Sequence, residues 1–118
     1  MNQGIKTIIY PVQDIGRATA IYTKLLGVTP QVESPHYVGF NVGDQHIGLD
    51  PNFHKSGAVG YYHVSNINES LQLLLDAGAR AEQNVRDVGG GRLIASVRDP
   101  EGNLIGLIQD PNPPSRAA

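Results

Sequence analysis

The chain has 118 residues, 40% hydrophobic and 17% charged, a length and balance that suit one globular domain and exclude a disordered chain. It has no cysteine, which excludes disulfides, thiolate metal sites and cysteine nucleophiles and is compatible with a cytoplasmic location. The formal net charge is −2 with nine scattered basic residues, so no nucleic-acid or membrane-surface partner is expected; no secretory leader and no apolar run of bilayer length is visible.

The first element is a β-like run, Ile8-Ile9-Tyr10-Pro11-Val12. Asp14 follows as a candidate N-cap, and Ile15, Ala18, Tyr22, Leu25 and Leu26 recur at helical spacing until Gly27 closes the helix. A strand-like segment spans Tyr37 to Val42. Gly43-Asp44 is a hairpin signal, and His46-Ile47-Gly48-Leu49 is the returning strand. The connector Pro51 to Gly57 is expected to join two units.

The second half repeats the order. Val59 to Val64 is β-like, and Asn66 with Glu69 three residues on has the form of a capping box. Ile67, Leu71, Leu74 and Leu75 make an apolar stripe, ended by Gly78. Leu93 to Val97 pairs through the turn Asp99-Pro100-Glu101-Gly102 with Leu104 to Ile108. Letters match as well: Val12-Gln13-Asp14-Ile15 with Val64-Ser65-Asn66-Ile67, and Ile47-Gly48-Leu49 with Ile105-Gly106-Leu107. Two copies of one β-α-β-β-β module account for this. We expect a single domain over residues 1–112, with module one at 4–51 and module two at 57–111, and a disordered Pro-rich tail at 113–118.

The run Val12-Gln13-Asp14-Ile15 with Tyr22 and Leu25-Leu26-Gly27, and the closing run Arg98-Asp99-Pro100-Glu101-Gly102-Asn103, resemble the opening and closing signatures of the vicinal oxygen chelate superfamily, the glyoxalase/bleomycin resistance protein/dioxygenase family. The resemblance covers about Ile5 to Asp110. It implies an α+β fold in which two tandem β-α-β-β-β modules form a curved mixed sheet, helices on the convex side and a cleft on the concave side. It also implies a divalent metal held in that cleft by four side chains, usually His, Glu or Gln. Counted from the motifs, those positions hold Thr7, Gly48, Val59 and Gly106 here. Glycine and valine offer no donor side chain, and one hydroxyl does not hold zinc, nickel or iron. No metal or other cofactor is therefore expected, and metal-dependent glyoxalase or dioxygenase activity is not expected.

The histidines are His36, His46, His54 and His63. Strand alternation sets His46 with Gly48 and Asp50 on one face, and Tyr61 and His63 with Val59 on another. His46, His63 and Asp50 can be read as a displaced metal site or a general base, with His63 or Asp50 as the catalytic candidate, or as ordinary polar residues at strand ends; the spacing favours the second. Gly89-Gly90-Gly91 lacks the Lys and Ser/Thr of a phosphate loop and reads as a flexible loop. Loss of ligand side chains at Gly48 and Gly106 predicts an open cleft floor. Thr7, Ile9, Val59 and Leu104 would line it, and His46, Asp50, Tyr61 and His63 would supply polar contacts. On that view Gly48→Glu and Gly106→Leu leave the fold intact.

Three functions compete. The first is a metal-free protein whose cleft captures a small, flat and cationic organic molecule, as in sequestration or resistance. The alternative is a lyase, isomerase or dioxygenase-like enzyme with a non-standard metal or a His/Asp base. The third is a structural dimer with a vestigial cleft. A homodimer is expected in each case, because an open sheet leaves edges and apolar surface to cover.

Overall fold

The computed structural model describes residues 2–52 and 57–111. Part of the expected connector, with His54, and the tail at 113–118 lie outside the described residues. The elements run β1 (Asn2–Pro11), α1 (Ile15–Leu26), β2 (Val32–Ser34), β3 (Tyr37–Val42), β4 (Gln45–Asp50), β5 (Val59–Val64), α2 (Ile67–Asp76), β6 (Arg80–Asp87), β7 (Leu93–Arg98) and β8 (Leu104–Gln109). The contacts gather into two compact units, Lys6–Gly60 and residues 61–111 with 2–5.

Each unit has the same strand order, β2-β3-β4-β1 in one and β6-β7-β8-β5 in the other. In the first, β1 is parallel to β4 with Ile9 opposite Gly48, and β3 is antiparallel to β4 with Gly39 opposite Gly48. In the second, β5 is parallel to β8 with Tyr61 opposite Gly106, and β7 is antiparallel to β8 with Ser96 opposite Gly106. The strands are therefore mixed parallel and antiparallel, and the repeat visible in the letters is a repeat of topology. Gly48 and Gly106 occupy matching places.

Local chemistry explains the element ends. The Asp14 carboxylate accepts from the Arg17 backbone N–H at 3.0 Å, and Gly27 closes α1 at φ 72° with its N–H on the Thr23 carbonyl. The Asn66 side chain accepts from the Glu69 N–H at 3.1 Å, while Gln109 Oε1 accepts from the Ile67 N–H at 2.7 Å and ties the start of α2 to the end of β8. The α2 cap is Ala77, with Gly78 just beyond at φ 113°. The Asp99 carboxylate closes the β7–β8 turn, accepting from the backbone N–H groups of Glu101 and Asn103 and from the Asn103 amide. Those hydrogen bonds, the Asn103 side chain first, hold its carboxyl below the usual carboxylate range.

Each helix packs on one face of its own strands. Val38, Phe40 and Leu49 are buried against Ile15, Ala18, Tyr22 and Leu26 of α1. Val64, Ile67, Ala95 and Leu107 are buried with Leu71 and Leu74 of α2. By strand alternation the odd residues of β1, β3 and β5 and the even residues of β4 and β8 lie on the helix-free faces. Among the described residues no helix is long and apolar enough to cross a membrane.

Candidate functional site

The helix-free face of the first unit carries the residues expected there. Thr7 lies opposite His46, Ile9 opposite Gly48 and Pro11 opposite Asp50 across the parallel pair; Asn41 lies opposite His46 across the hairpin. Thr7 is buried. The polar centre of this face is a chain of three side chains. Tyr37 Oη lies 2.6 Å from His46 Nε2, and His46 Nδ1 lies 2.7 Å from Asn41 Oδ1. The Tyr37 and His46 rings stack, with centroids 6.0 Å apart and planes 14° from parallel. The Ser34 hydroxyl accepts from the Tyr37 backbone N–H at 3.1 Å and so fixes the start of β3. At the hairpin tip, Gln45 and then Lys6 hold the Asp44 carboxyl below its ordinary range.

The expected open floor is not what the structure has. A Cβ built on Gly48 would run into Tyr37 Oη, with Tyr37 Cζ at 2.8 Å and Ile9 Cδ1 at 2.6 Å. A Cβ on Gly106 would lie 2.6 Å from Tyr61 Cδ2. The volume that a ligand side chain would need is filled by tyrosine rings lying across the glycines. Gly48→Glu and Gly106→Leu therefore meet occupied space rather than solvent.

On the second unit's helix-free face, Tyr61 is buried over Gly106, flanked by buried Ser96 on β7. Leu104 and Ile108 continue that face of β8. Val59, at the end of the first unit, is 1% exposed, so it offers almost no surface to a ligand. The carboxylate beside His63 is Asp110, 3.3 Å from Nδ1, rather than Asp50; Arg92 Nε shares it at 3.1 Å. Asp50 instead accepts from the Asn52 backbone N–H at 2.8 Å, fixing the turn after β4.

The residues at the four expected metal positions do not fit a metal. Thr7 is the only one with a donor side chain, and Tyr37 and Tyr61 occupy the space at Gly48 and Gly106. Among the described residues no three His, Cys, Asp or Glu side chains are placed to hold an ion. Gly89, Gly90 and Gly91 all have positive φ, with Arg92 N–H closing back on the Gly89 carbonyl: a turn before β7.

Sequence reasoning pointed to Tyr61 and Tyr37 as flat surface for a ligand and missed Asn41, Arg92 and Asp110 as site residues. Asn41 was within reach of it, because a two-residue turn at Gly43-Asp44 pairs Val42 with Gln45 and hence Asn41 with His46. Asp110 and Arg92 stand outside the strands, where alternation gives no guide.

A fold of two such units defines a class that comparison with known proteins identifies. The model of the Glyoxalase/Bleomycin resistance protein/Dioxygenase superfamily matches residues 4–107, and the chain belongs to that family. Among solved structures it is similar to hypothetical protein BH1468 from Bacillus halodurans C-125, with a TM-score of 0.78 and 16% identity over 95% of this chain and 96% of that one. It is also similar to methylmalonyl-CoA epimerase from Mycobacterium tuberculosis, with a TM-score of 0.70 and 22% identity over 99% and 93%. The Mn(II)-bound glyoxalase from Novosphingobium aromaticivorans gives a TM-score of 0.69 and 18% identity over 93% of this chain and 40% of that one. These likenesses are likenesses of fold. No curated protein matches the chain.

Proposed function

We propose that this family member binds a small organic molecule without a metal ion, using the helix-free face of its strands. One observation carries the reading: the Tyr37 ring fills the space of a ligand side chain at Gly48, so the helix-free face of the first unit offers aromatic surface where coordination would need donors. Ile9 adds apolar area and Asp50 adds a polar contact, a combination usual in small-molecule sites. The Asp50 carboxylate favours a flat ligand that carries positive charge. Its place of action on this reading is the cytoplasm.

Two measurements test this. Protein expressed with added nickel, zinc, manganese and iron should carry no stoichiometric metal by elemental analysis. One tightly held ion per chain, lost in a His46→Ala or His63→Ala variant, overturns the metal-free reading. A thermal-shift screen with flat cationic compounds, bleomycin among them, should raise the melting temperature, because a ligand that binds only the folded state stabilises it by mass action.

A second reading rests on the His63–Asp110 pair. A carboxylate beside a ring nitrogen can orient an imidazole for proton transfer. Under this reading the protein is a metal-free acid–base enzyme. Asp110→Asn and His63→Gln would then abolish turnover of a compound found in the screen while leaving its binding within about threefold.

A further inference from the structure

Each helix covers its own strands with one side and leaves the other side uncovered. On α1, Arg17, Ile21, Lys24 and Leu25 are exposed, while Ile15, Ala18, Tyr22 and Leu26 pack on the core. On α2, Glu69, Leu73 and Asp76 are exposed, Leu73 at 64%, while Leu71 and Leu74 pack inward. Residues spaced i, i+4 and i+7 share one helix face, so Arg17, Ile21 and Lys24 form one outward row and Glu69, Leu73 and Asp76 another.

The two rows are copies in spacing and opposites in charge. The repeat that sets Val12-Gln13-Asp14-Ile15 on Val64-Ser65-Asn66-Ile67 also sets Arg17 on Glu69, Ile21 on Leu73 and Lys24 on Asp76. A base, an apolar residue and a base on α1 thus stand where an acid, an apolar residue and an acid stand on α2. Helix α1 has no acidic residue, and α2 has no basic one. Among the described residues the side chains of Arg17, Lys24 and Glu69 have no ion-pair partner, and Asp76 accepts only from the Gln72 amide, at 2.9 Å.

We propose that α1 of one chain packs on α2 of a second copy, Ile21 and Leu25 against Leu73, with Arg17 and Lys24 facing Glu69 and Asp76. The partner is a second copy because each face carries the charge that the other needs. Both rows span seven residues, about 10.5 Å of helix, so each base meets an acid whether the helices run parallel or antiparallel. Two α1 faces would set base on base, and two α2 faces acid on acid, which like-charge repulsion opposes. Apolar contact supplies the adhesion; the exposed ion pairs choose the partner face and its register. The surface lies on the helices and uses none of the helix-free face.

The test uses the full chain and reads its mass by light scattering over a micromolar concentration series. The unaltered chain should exceed 12.7 kDa. Raising sodium chloride from about 0.05 M to about 0.5 M should weaken association at least about threefold, because salt screens exposed charges. Two double variants then locate the surface. Arg17→Glu with Lys24→Glu makes both faces acidic, and Glu69→Lys with Asp76→Lys makes both basic. Each should keep the circular dichroism of the unaltered chain and self-associate at least about tenfold more weakly. Mixed in equal amounts, the two variants should associate again, because the acidic α1 of one meets the basic α2 of the other. Ile21→Ser and Leu73→Ser, single changes at exposed positions, should each weaken association without touching a charge. An unaltered chain of 12.7 kDa throughout, a double variant that self-associates as the unaltered chain does, or two folded variants that stay apart when mixed overturns the proposal. So does full association in both serine variants, which decides the matter even if a double variant fails to fold.

Discussion

A methyl group added to Gly48 or Gly106 has nowhere to go. The nearest atoms belong to Tyr37, Ile9 and Tyr61, and two of these are rings packed on the strand. Gly48→Ala and Gly106→Ala should each cost about 1–3 kcal/mol, the usual range for overpacking, read as a lower urea midpoint. Tyr37→Ala placed on the Gly48→Ala background should recover part of the loss, since residues in contact are not additive. Additive costs would show that the ring does not rest on the glycine. Asp99 supports a prediction of a different kind. Its carboxyl titrates below the ordinary range when folded, so its contribution to stability is present above that range and disappears as pH falls through the lowered value. The gap in melting temperature between the unaltered chain and Asp99→Asn should therefore be open at about pH 7 and narrow as pH falls below the ordinary carboxylate range. At this scale the sequence showed which face a residue occupies but not what fills the space above it. Alternation puts Tyr37 and Gly48 on one side; the rotamer that swings the ring across the glycine depends on neighbours from three strands.

Elements were legible where chemistry at their ends is local. The caps Asp14 and Asn66, the Gly27 stop and the hairpin glycine act within a few residues of chain, and each stands where the sequence reading put it. Asn66→Ala should lower stability by about 1 kcal/mol in chemical denaturation, as loss of an N-cap does; no change would mean that Gln109 alone satisfies the start of α2. β2 and β6 escaped notice for a physical reason. β2 has three residues, all exposed, and β6 is a mostly exposed polar run, Arg80 to Asp87, whose register shifts twice against β7. A strand without a buried face has no alternation to display. Its charges and bulges are themselves a defence against edge-to-edge pairing.

For the molecule as a whole, we propose that two chains pair. Helix α1 leaves Ile21 58% and Leu25 70% exposed, one turn apart, while its other side is used against β3 and β4. Light scattering at micromolar concentration should give twice 12.7 kDa; a mass of 12.7 kDa refutes pairing. Each unit carries its own buried cluster, so a core truncation should act mainly on its own half. Phe40→Ala, at about 3–5 kcal/mol, should speed hydrogen exchange in the first unit's strands more than in β7 and β8.

The two glycine–tyrosine pairs also differ in how they are built. The ring over Gly48 comes from the antiparallel neighbour β3, while the ring over Gly106 comes from the parallel neighbour β5. The space over a glycine is thus filled twice by different routes. A mutation that returned a carboxylate to position 48 would arrive in filled space, and one that removed Tyr37 first would open a void with nothing to occupy it. Gly48→Glu should accordingly be tolerated only alongside Tyr37→Ala, which melting of the single and double variants would show. The aromatic cover works as a lock: neither half can take a larger side chain at its glycine unless its tyrosine ring is first removed.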